Sequence, residues 1–308
     1  MSDLRQAVDD YVKLRRAVGF KLRGHDRLLL DFVDYVEQAG TSTVTTRLAV
    51  AWATQPASVH PGRWKQRLCV VRGFTRYMNA SDSSTEVPPA DLLAFRRERP
   101  TPFLFSESEV VELLAATDIL RPLLHAATYR TLFGLLGATG MRVGEAIGLD
   151  RADVDLQVGV LTIWRSKFNK SRRLPLQPST LAALKSYAQE RDRLARGPKA
   201  PSFFVSTRGT RLLDVCVHGV FRQLVNHIGL QPRSWSRAPR IHDLRHSFAV
   251  TTLRDWYRSG ADVAAKMPLL SAYLGHAHPA STYWYLQAAP ELLAHAAERL
   301  ERPLGGFR

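Results

Sequence analysis

The amino-acid sequence predicts a mainly α-helical protein with one small antiparallel β-sheet, divided into two domains. Apolar residues recur at helical spacing through most of the chain, and a polar, proline-containing stretch interrupts that pattern at residues 79–103. Two β-compatible segments, 158-VGVLTIW-164 and 172-RRLPL-176, lie close together. The 308 residues are enough for two hydrophobic cores.

Four helices are predicted before residue 80. The first two carry apolar stripes at helical spacing, and the others run through 45-TTRLAVAWAT-54 and 63-RWKQRLCVVRGFTRYM-78. On the fourth helix, Lys65, Arg72 and Arg76 share a face at i, i+7 and i+11. That face is either a solvated polar surface or a surface for a DNA backbone, and the net charge of the chain favours DNA.

The composition changes at 79-NASDSSTEVPPADLLAFRRERPTPF-103, which is typical of an interdomain connection. Ser106 and Glu109 then form an S-x-x-E capping box, which predicts the start of a helix. We therefore expect an N-terminal helical domain at residues 1–85, a linker at 86–105 and a second domain at 106–308.

The charge balance indicates a polyphosphate partner. The chain has 43 Lys and Arg against 28 Asp and Glu, a net charge of +15. Nucleic acid fits best, because each neutralised phosphate releases counterions and adds affinity. Its two cysteines, Cys69 and Cys216, offer no disulfide framework. The sequence shows no apolar signal core and no apolar run of about 18 residues, so we expect a cytoplasmic protein without a membrane span.

In the second domain a helix is predicted through 126-AATYRTLFGLLGATG-140, followed by a glycine turn and 141-MRVGEAIGL-149. The two β-compatible segments are joined across 165-RSKFNKS-171, which predicts a β-hairpin. Helices are expected again from Ser179 to the end.

Metal-dependent chemistry is poorly supported. Asp150, Asp153 and Asp155 form an acidic run, but they fall at a helix-to-strand turn where Asp is favoured in any case. His276 and His278 have no cysteine nearby and make a poor zinc site. We expect no metal.

The sequence offers better candidates for a mechanism of phosphodiester cleavage that uses side chains and no metal. Guanidinium groups bind the non-bridging oxygens bidentately, and Arg142 and Arg245 come from separate motifs. Lys167 at the hairpin turn could protonate a leaving alkoxide, while His242 and His276 could donate to phosphate or move protons. A tyrosine suits the role of a nucleophile that forms a reversible ester.

Four runs carry a specific resemblance, namely 140-GMRVGEAIGL-149, 166-SKFNKSRRLPL-176, 242-HDLRH-246 and 274-LGHAHPASTYWYL-286. In this order, and with nine residues from His276 to Tyr285, they resemble the tyrosine recombinases of the phage integrase family. Across about residues 106–300 the resemblance rests on specific motifs, whereas before residue 106 it extends only to the helical architecture. It implies an N-terminal helical, SAM-like core-binding domain that clamps DNA and a C-terminal tyrosine-recombinase catalytic domain.

By this resemblance, Arg142 and Arg245 clamp the scissile phosphate. His242 assists as acid, base or phosphate donor, and His276 helps to bind the phosphate. Glu145 resembles the acidic residue that supports the first arginine in the family.

The same resemblance makes Lys167 the general acid toward the 5′-hydroxyl leaving group and Tyr285 the nucleophile. Tyr285 would form a 3′-phosphotyrosyl link that conserves the bond energy, so no cofactor, ATP or metal is expected. Lys170 shares the hairpin turn with Lys167, and motif alignment favours Lys167 as the acid and leaves Lys170 as a DNA contact.

Two tyrosines compete for the role of nucleophile. On one helix Tyr283 and Tyr285 point about 200° apart, so both cannot enter one pocket. The spacing from His276 favours Tyr285, although Pro279 could shift the start of that helix.

Structural interpretations remain open for the other residues. Arg142 could be a surface arginine at a helix start, and Arg245 could pair with Asp243 or Asp255. His242 could cap the helix that follows, and His276 could be a hydrogen-bonded core histidine.

The resemblance implies a site-specific recombinase that acts on double-stranded DNA carrying specific sites, for integration, excision or transposition of a mobile element. It further implies a tetramer on DNA, joined through the apolar stripe of residues 290–308 and aided by accessory recombinases or DNA-bending proteins. That C-terminal segment could equally fold back on its own domain. The alternatives are a type IB topoisomerase-like nicking-closing enzyme and a DNA-binding protein whose catalytic machinery has decayed.

Overall fold

The computed structural model describes residues 3–22, 24–93, 101–164, 171–195, 200–233, 236–276 and 278–288. They belong to two compact units, Met1–Arg99 and Pro100–Arg308. The structure is mainly helical with a small antiparallel sheet, as predicted. Within the described ranges, no helix is both long and apolar enough to span a membrane.

The described residues of the first unit form four helices, as the apolar periodicity predicts. They are α1 (Asp3–Ala17), α2 (His25–Gln38), α3 (Thr46–Thr54) and α4 (Pro61–Asn79). Their apolar stripes form one core, in which the Phe32 and Trp52 rings lie edge to face with centroids 5.2 Å apart. The first two helices bury one residue in three or four, because only one face of each touches that core.

The first helix of the second unit begins at the predicted capping box. The Ser106 side chain accepts a hydrogen bond from the Glu109 amide, and the Glu109 carboxylate accepts one from the Ser106 amide. Its helices are α5 (Glu107–Ala115), α6 (Leu123–Thr139), α7 (Val143–Gly148), α8 (Pro178–Leu194), α9 (Asp214–His227), α10 (Asp243–Arg258), α11 (Val263–Leu274) and α12 (Ala280–Ala288), with 3₁₀ turns at Ala116–Ile119 and Arg151–Asp153.

The small sheet has the order β1 (Val154–Asp155), β2 (Val160–Ile163) and β3 (Arg172–Pro175). The antiparallel pairing of β2 with β3 confirms the predicted hairpin, and its register places Ile163 opposite Arg172. Strand β1 was not predicted, because two residues are too few to show an alternating pattern. Leu174 is buried and Arg172 partly buried, so both face the interior while the intervening Arg173 is exposed.

Two apolar clusters hold the second unit together. The larger one surrounds α6, whose Leu132 and Phe133 are fully buried. The smaller one joins α10, α11 and α12, and it includes Tyr285. The proposed nucleophile therefore lies inside a packed cluster at the point where these three helices meet.

Candidate active site

The carboxyl end of α11 brings three arginines together. The carbonyl of Tyr273 accepts a hydrogen bond from Arg172 Nε at 2.8 Å, and that of Leu274 accepts one from Arg245 Nη2 at 2.8 Å. The Gly275 carbonyl accepts one from Arg142 Nη2 at 2.9 Å. The last carbonyls of a helix lack partners within the helix and carry the negative end of its dipole. This helix end therefore attracts and orients cations from three separate parts of the chain.

Two glycines in the left-handed region make these approaches possible. Gly140 (φ 59°) ends α6 and Gly275 (φ 67°) ends α11. The Gly140 carbonyl accepts a hydrogen bond from Arg245 Nη1 at 2.7 Å. A Cβ at position 275 would lie 2.6 Å from Arg172 Nη1, so this position has no room for a side chain.

Glu145 joins two of the arginines. Its carboxylate accepts hydrogen bonds from the Arg142 amide at 3.0 Å and from Arg142 Nη1 at 2.8 Å. It also accepts two from the Arg172 guanidinium, at 3.1 and 2.8 Å. Burial favours the neutral acid, but the hydrogen bonds and charge of Arg172, with those of Arg142, more than offset this and lower the pKa of Glu145. The carboxylate is therefore ionised at neutral pH.

Arg245 is the most deeply buried of the three arginines, with 2% of its surface exposed. Burial lowers the pKa of its guanidinium to about 10, an effect that the nearby Tyr285 opposes and Arg142 increases. Arg245 thus stays charged at neutral pH. It does not pair with Asp243, whose carboxylate binds Arg240 instead.

Tyr285 lies on α12 with only 2% of its surface exposed, whereas 47% of Tyr283 is exposed. The two rings therefore face opposite ways, as predicted. The Oη atom of Tyr285 lies 3.3 Å from Nδ1 of His246, and the ring of His276 stacks at 6.2 Å between centroids. Tyr285 also lies close enough to Arg245 to influence the pKa of its guanidinium.

Two histidines, His246 and His276, contact this tyrosine, a third, His242, contacts His246, and all three are neutral at pH 7. Burial, followed by the charge of Arg245 or of nearby histidines, lowers the pKa of His276 to about 3 and that of His246 to about 3. Burial and the charge of Arg245 also lower the pKa of His242 to about 4, although much of this residue remains exposed.

The histidines make different contacts. His276 Nδ1 lies 2.6 Å from the Thr282 hydroxyl. The rings of His242, just before α10, and His246, in its first turn, meet edge to face with centroids 4.8 Å apart. His242 precedes α10, but its side chain makes no capping hydrogen bond, so the capping interpretation is wrong.

Similar proteins identify the family of this chain. The family model described as the phage integrase family matches residues 104–291. The chain is 44% identical to the putative integrase/recombinase y4rB of Sinorhizobium fredii strain NGR234, over 98% of each chain. The protein belongs to the phage integrase family of tyrosine recombinases. Members of this family cleave and rejoin DNA.

Solved structures show the same fold at lower identity. The XerH site-specific recombinase bound to its palindromic difH substrate aligns with a TM-score of 0.68 and 21% identity, over 98% of this chain and 86% of that one. The Tn1549 transposon integrase in complex with transposon right-end DNA aligns with a TM-score of 0.67 and 16% identity, over 96% and 99%.

Sequence reasoning missed two residues of this recombinase site, Arg172 and His246. Both stand inside the quoted motifs, yet neither was given a role. The alternation of β3 could have indicated Arg172, since it faces the same side as the buried Leu174. His246 follows Arg245 directly, and its position beside Tyr285 depends on how α12 packs, for which the sequence carries no local signal.

Several residues to which the sequence analysis gave a role do not belong to the described part of this site. Lys167 and Lys170 are outside the described residues. The three basic residues of α4 belong to the first unit: Arg76 is exposed, Lys65 and Arg72 are half-buried, and Arg72 donates to the Pro89 carbonyl.

The acidic run of the recombinase is occupied by structural contacts. Asp150 pairs with Arg211, Asp153 accepts from the Asp150 amide, and Asp155 accepts from two amides of the following turn. Across the described ranges, no group of three His, Cys, Asp or Glu side chains could hold a metal ion.

Replacing Gly275 by alanine should destabilise the recombinase and displace Arg172. The left-handed backbone alone costs about 1–2 kcal/mol for an alanine, and the new Cβ would meet a guanidinium that hydrogen bonds hold in place. Gly260→Ala is the matched control, since Gly260 has φ +72° and no atom within 4 Å of its Cβ position. Urea unfolding should show a larger loss for Gly275→Ala, and DNA cleavage should fall in that variant alone. If the two substitutions lowered the free energy of unfolding equally, the predicted clash between the Cβ at position 275 and Arg172 would be contradicted.

Acid should destabilise the recombinase through His246 and His276. The unfolded chain takes up their protons near pH 6.5, whereas the folded chain does so only near pH 3, so the unfolded chain binds more protons between these values. Lowering the pH from 6.5 to 5 should therefore cost up to about 2 kcal/mol for each ring, less where solvent reaches it.

Urea unfolding at pH 7.5 and 5.0 measures this loss. His246→Asn should reduce the pH dependence, and the same replacement at the exposed His227 should leave it unchanged. A pH dependence that is identical in the two variants would contradict the assignment.

Proposed function

We propose that this recombinase cuts and rejoins two DNA duplexes at specific sites through a covalent 3′-phosphotyrosyl intermediate, in the integration, excision or transposition of a mobile element. The observation that carries this proposal is that a buried phenol lies near Arg245, whose guanidinium shares one helix end with that of Arg142. Tyr285 lies close enough to Arg245 to influence its pKa, and Arg245 and Arg142 bind successive carbonyls of α11.

The clamp supports phosphoryl transfer. As Tyr285 Oη attacks the phosphorus, negative charge grows on the non-bridging oxygens. Arg142 and Arg245 are held by carbonyls and, for Arg142, by Glu145, so they need no reorganisation to receive that charge. His276 and His242 would add N–H donors to the same phosphate. The P–O5′ bond then breaks and leaves the 3′-phosphate on the tyrosine.

The leaving 5′-oxygen needs a proton, and we assign this role to Lys167. Support comes from the chain on either side of it. Strand β3 begins at Arg172, which contacts both Glu145 and the end of α11. Lys167 precedes Arg172 by only five residues, and an extended chain of that length spans at most roughly 17 Å. Religation is the reverse reaction, in which a 5′-hydroxyl of the partner strand attacks the phosphotyrosine.

We assign residues 1–85 to a DNA-clamping domain, 86–105 to a linker and 106–308 to catalysis. The basic face of α4, with Lys65, Arg72 and Arg76, would contact the backbone of the duplex, and Lys170 would add a contact from the hairpin. The net charge of +15 agrees with extensive phosphate contacts.

A mobile-element role is favoured by the names of two similar proteins, one an integrase/recombinase and the other a transposon integrase. A type IB topoisomerase-like activity is the second candidate, because it uses the same chemistry. It would relax supercoiled DNA as a monomer and without paired sites.

Assembly would use the C-terminal segment. A groove of about 390 Å³ lies between α10, α11 and the end of β3, and Leu269 on its rim is 66% exposed. We propose that residues 290–308 of a neighbouring protomer fill this groove through their apolar stripe of Leu292, Leu293, Ala296, Ala297 and Leu300. These residues lie outside the described ranges.

Truncation before Glu291 should abolish assembly on DNA while leaving binding of a single protomer. Size-exclusion chromatography with light scattering on a DNA duplex of two sites would measure this. Leu269→Glu should have the same effect through the groove, with Val215→Glu as a control at an exposed residue outside it. Multimers that form equally well in the truncated chain would contradict docking in trans.

Tyr285→Phe should abolish the covalent protein–DNA adduct, whereas Tyr283→Phe should keep it. The substrate is a nicked duplex carrying the cognate site, first selected from a random-sequence pool by covalent trapping. Both variants should keep non-covalent binding that weakens steeply as salt rises. An adduct that persists in Tyr285→Phe, or that is lost only in Tyr283→Phe, would contradict the assignment.

A further inference from the structure

His246 contacts the reacting atom of the proposed nucleophile. Its Nδ1 atom lies 3.3 Å from the Oη atom of Tyr285, and its ring lies against Trp284 as well, with centroids 5.3 Å apart. Contacts between catalytic groups are often long before substrate binds and shorten in the complex. A phenol with an ordinary pKa near 10 is protonated at neutral pH, so an attacking tyrosine must lose a proton to some group.

The other two histidines are placed for different tasks. Nδ1 of His276 is engaged by the Thr282 hydroxyl at 2.6 Å, and its ring stacks on the face of Tyr285. His242 immediately precedes α10 and is partly exposed to solvent, which suits a donor to the DNA phosphate. Of the three rings, His246 is the one whose nitrogen is directed at the phenolic oxygen.

We propose that His246 is a catalytic residue, whose Nδ1 accepts the proton of Tyr285 as the phenolic oxygen attacks the phosphorus. The Oη–H bond breaks, the Oη–P bond forms, and the electron pair of the P–O5′ bond leaves with O5′, which takes its own proton from Lys167. During religation the imidazolium returns its proton to the departing tyrosine. This inference rests on the proposed function.

The surroundings of His246 make it a base only when DNA is bound. Burial, then His242, Arg240, Arg245 and His276, lower the pKa of His246 to about 3, so the ring is neutral. In the tautomer that carries its proton on Nε2, the Nδ1 lone pair faces the phenol. A phosphate seated between Arg142 and Arg245 brings negative charge that offsets those cations and raises the basicity of the ring.

The matched test is His246→Asn against His246→Leu. The Asn side-chain oxygen sits near the position of Nδ1 and still accepts a hydrogen bond, but it cannot take a proton. A residue that only holds the tyrosine in place would be replaced well by Asn and poorly by Leu. A proton acceptor is lost in both.

The measurement is the single-turnover rate of adduct formation on the trapped, nicked duplex at saturating protein, from pH 6 to 9. Both variants should bind this duplex as the unaltered chain does and form the adduct about 100-fold more slowly or worse. Their rates should rise with pH, as hydroxide replaces the lost base.

A second substitution tests the proton itself. Replacing Tyr285 by a difluorotyrosine, whose phenol ionises near neutral pH, should restore most of the rate lost in His246→Asn and little of that lost in His242→Asn. This pattern depends on the acidity of the phenol. If the variant lost activity only because its structure was disturbed, a more acidic phenol would not restore the rate.

The outcomes separate the two proposals. If the unaltered chain forms no adduct on any trapped duplex, the proposed function fails. If it does, and His246→Asn cleaves within about threefold of it or fluorination restores nothing, His246 is not the proton acceptor. His246→Gln replaces the Asn variant in the same comparison if the latter does not fold.

Discussion

The site depends on the attraction between the carboxyl end of α11 and three arginines. Like charges brought together in a protein interior repel one another and lose hydration, at a cost of several kcal/mol for each ion. Three successive carbonyls and one carboxylate offset this, because each guanidinium donates charge-assisted hydrogen bonds in a fixed direction. The same bonds fix the orientation of Arg142 and Arg245. Stability and the proposed binding of a phosphate thus depend on one set of contacts.

Glu145 and Arg172 make this arrangement rigid. The carboxylate neutralises part of the cluster, and it ties the start of α7 to the first residue of β3. Arg172 then connects β3 to the end of α11 through the Tyr273 carbonyl. A shift of β3 would therefore also displace Arg142, because Arg142 and Arg172 bind the same carboxylate. This linkage connects the start of β3 to the arginines of the proposed phosphate clamp.

Apolar packing determines where the proposed nucleophile lies. Tyr285 belongs to the cluster of α10, α11 and α12, so its ring is held by ordinary core contacts while its hydroxyl group faces His246. A phosphate bound between the arginines would offset their charge and raise the pKa of the imidazole beside the phenol. Tyr285 is thus at once a core residue and the proposed nucleophile.

The sequence alone determined the features that arise within a few residues of each other. These include the helical stripes, the Ser106–Glu109 capping box, the β2–β3 hairpin and the opposite faces of Tyr283 and Tyr285, because each follows from local periodicity or local hydrogen bonding. Ordered motifs also indicated Arg142, Arg245 and Tyr285. The partners that hold the arginines are backbone carbonyls, 133 residues away for Arg142, 105 for Arg245 and 101 for Arg172. Every residue has a backbone carbonyl, so no sequence pattern indicates which carbonyl will bind an arginine. Only the tertiary structure shows that Arg172 and His246 belong to the site.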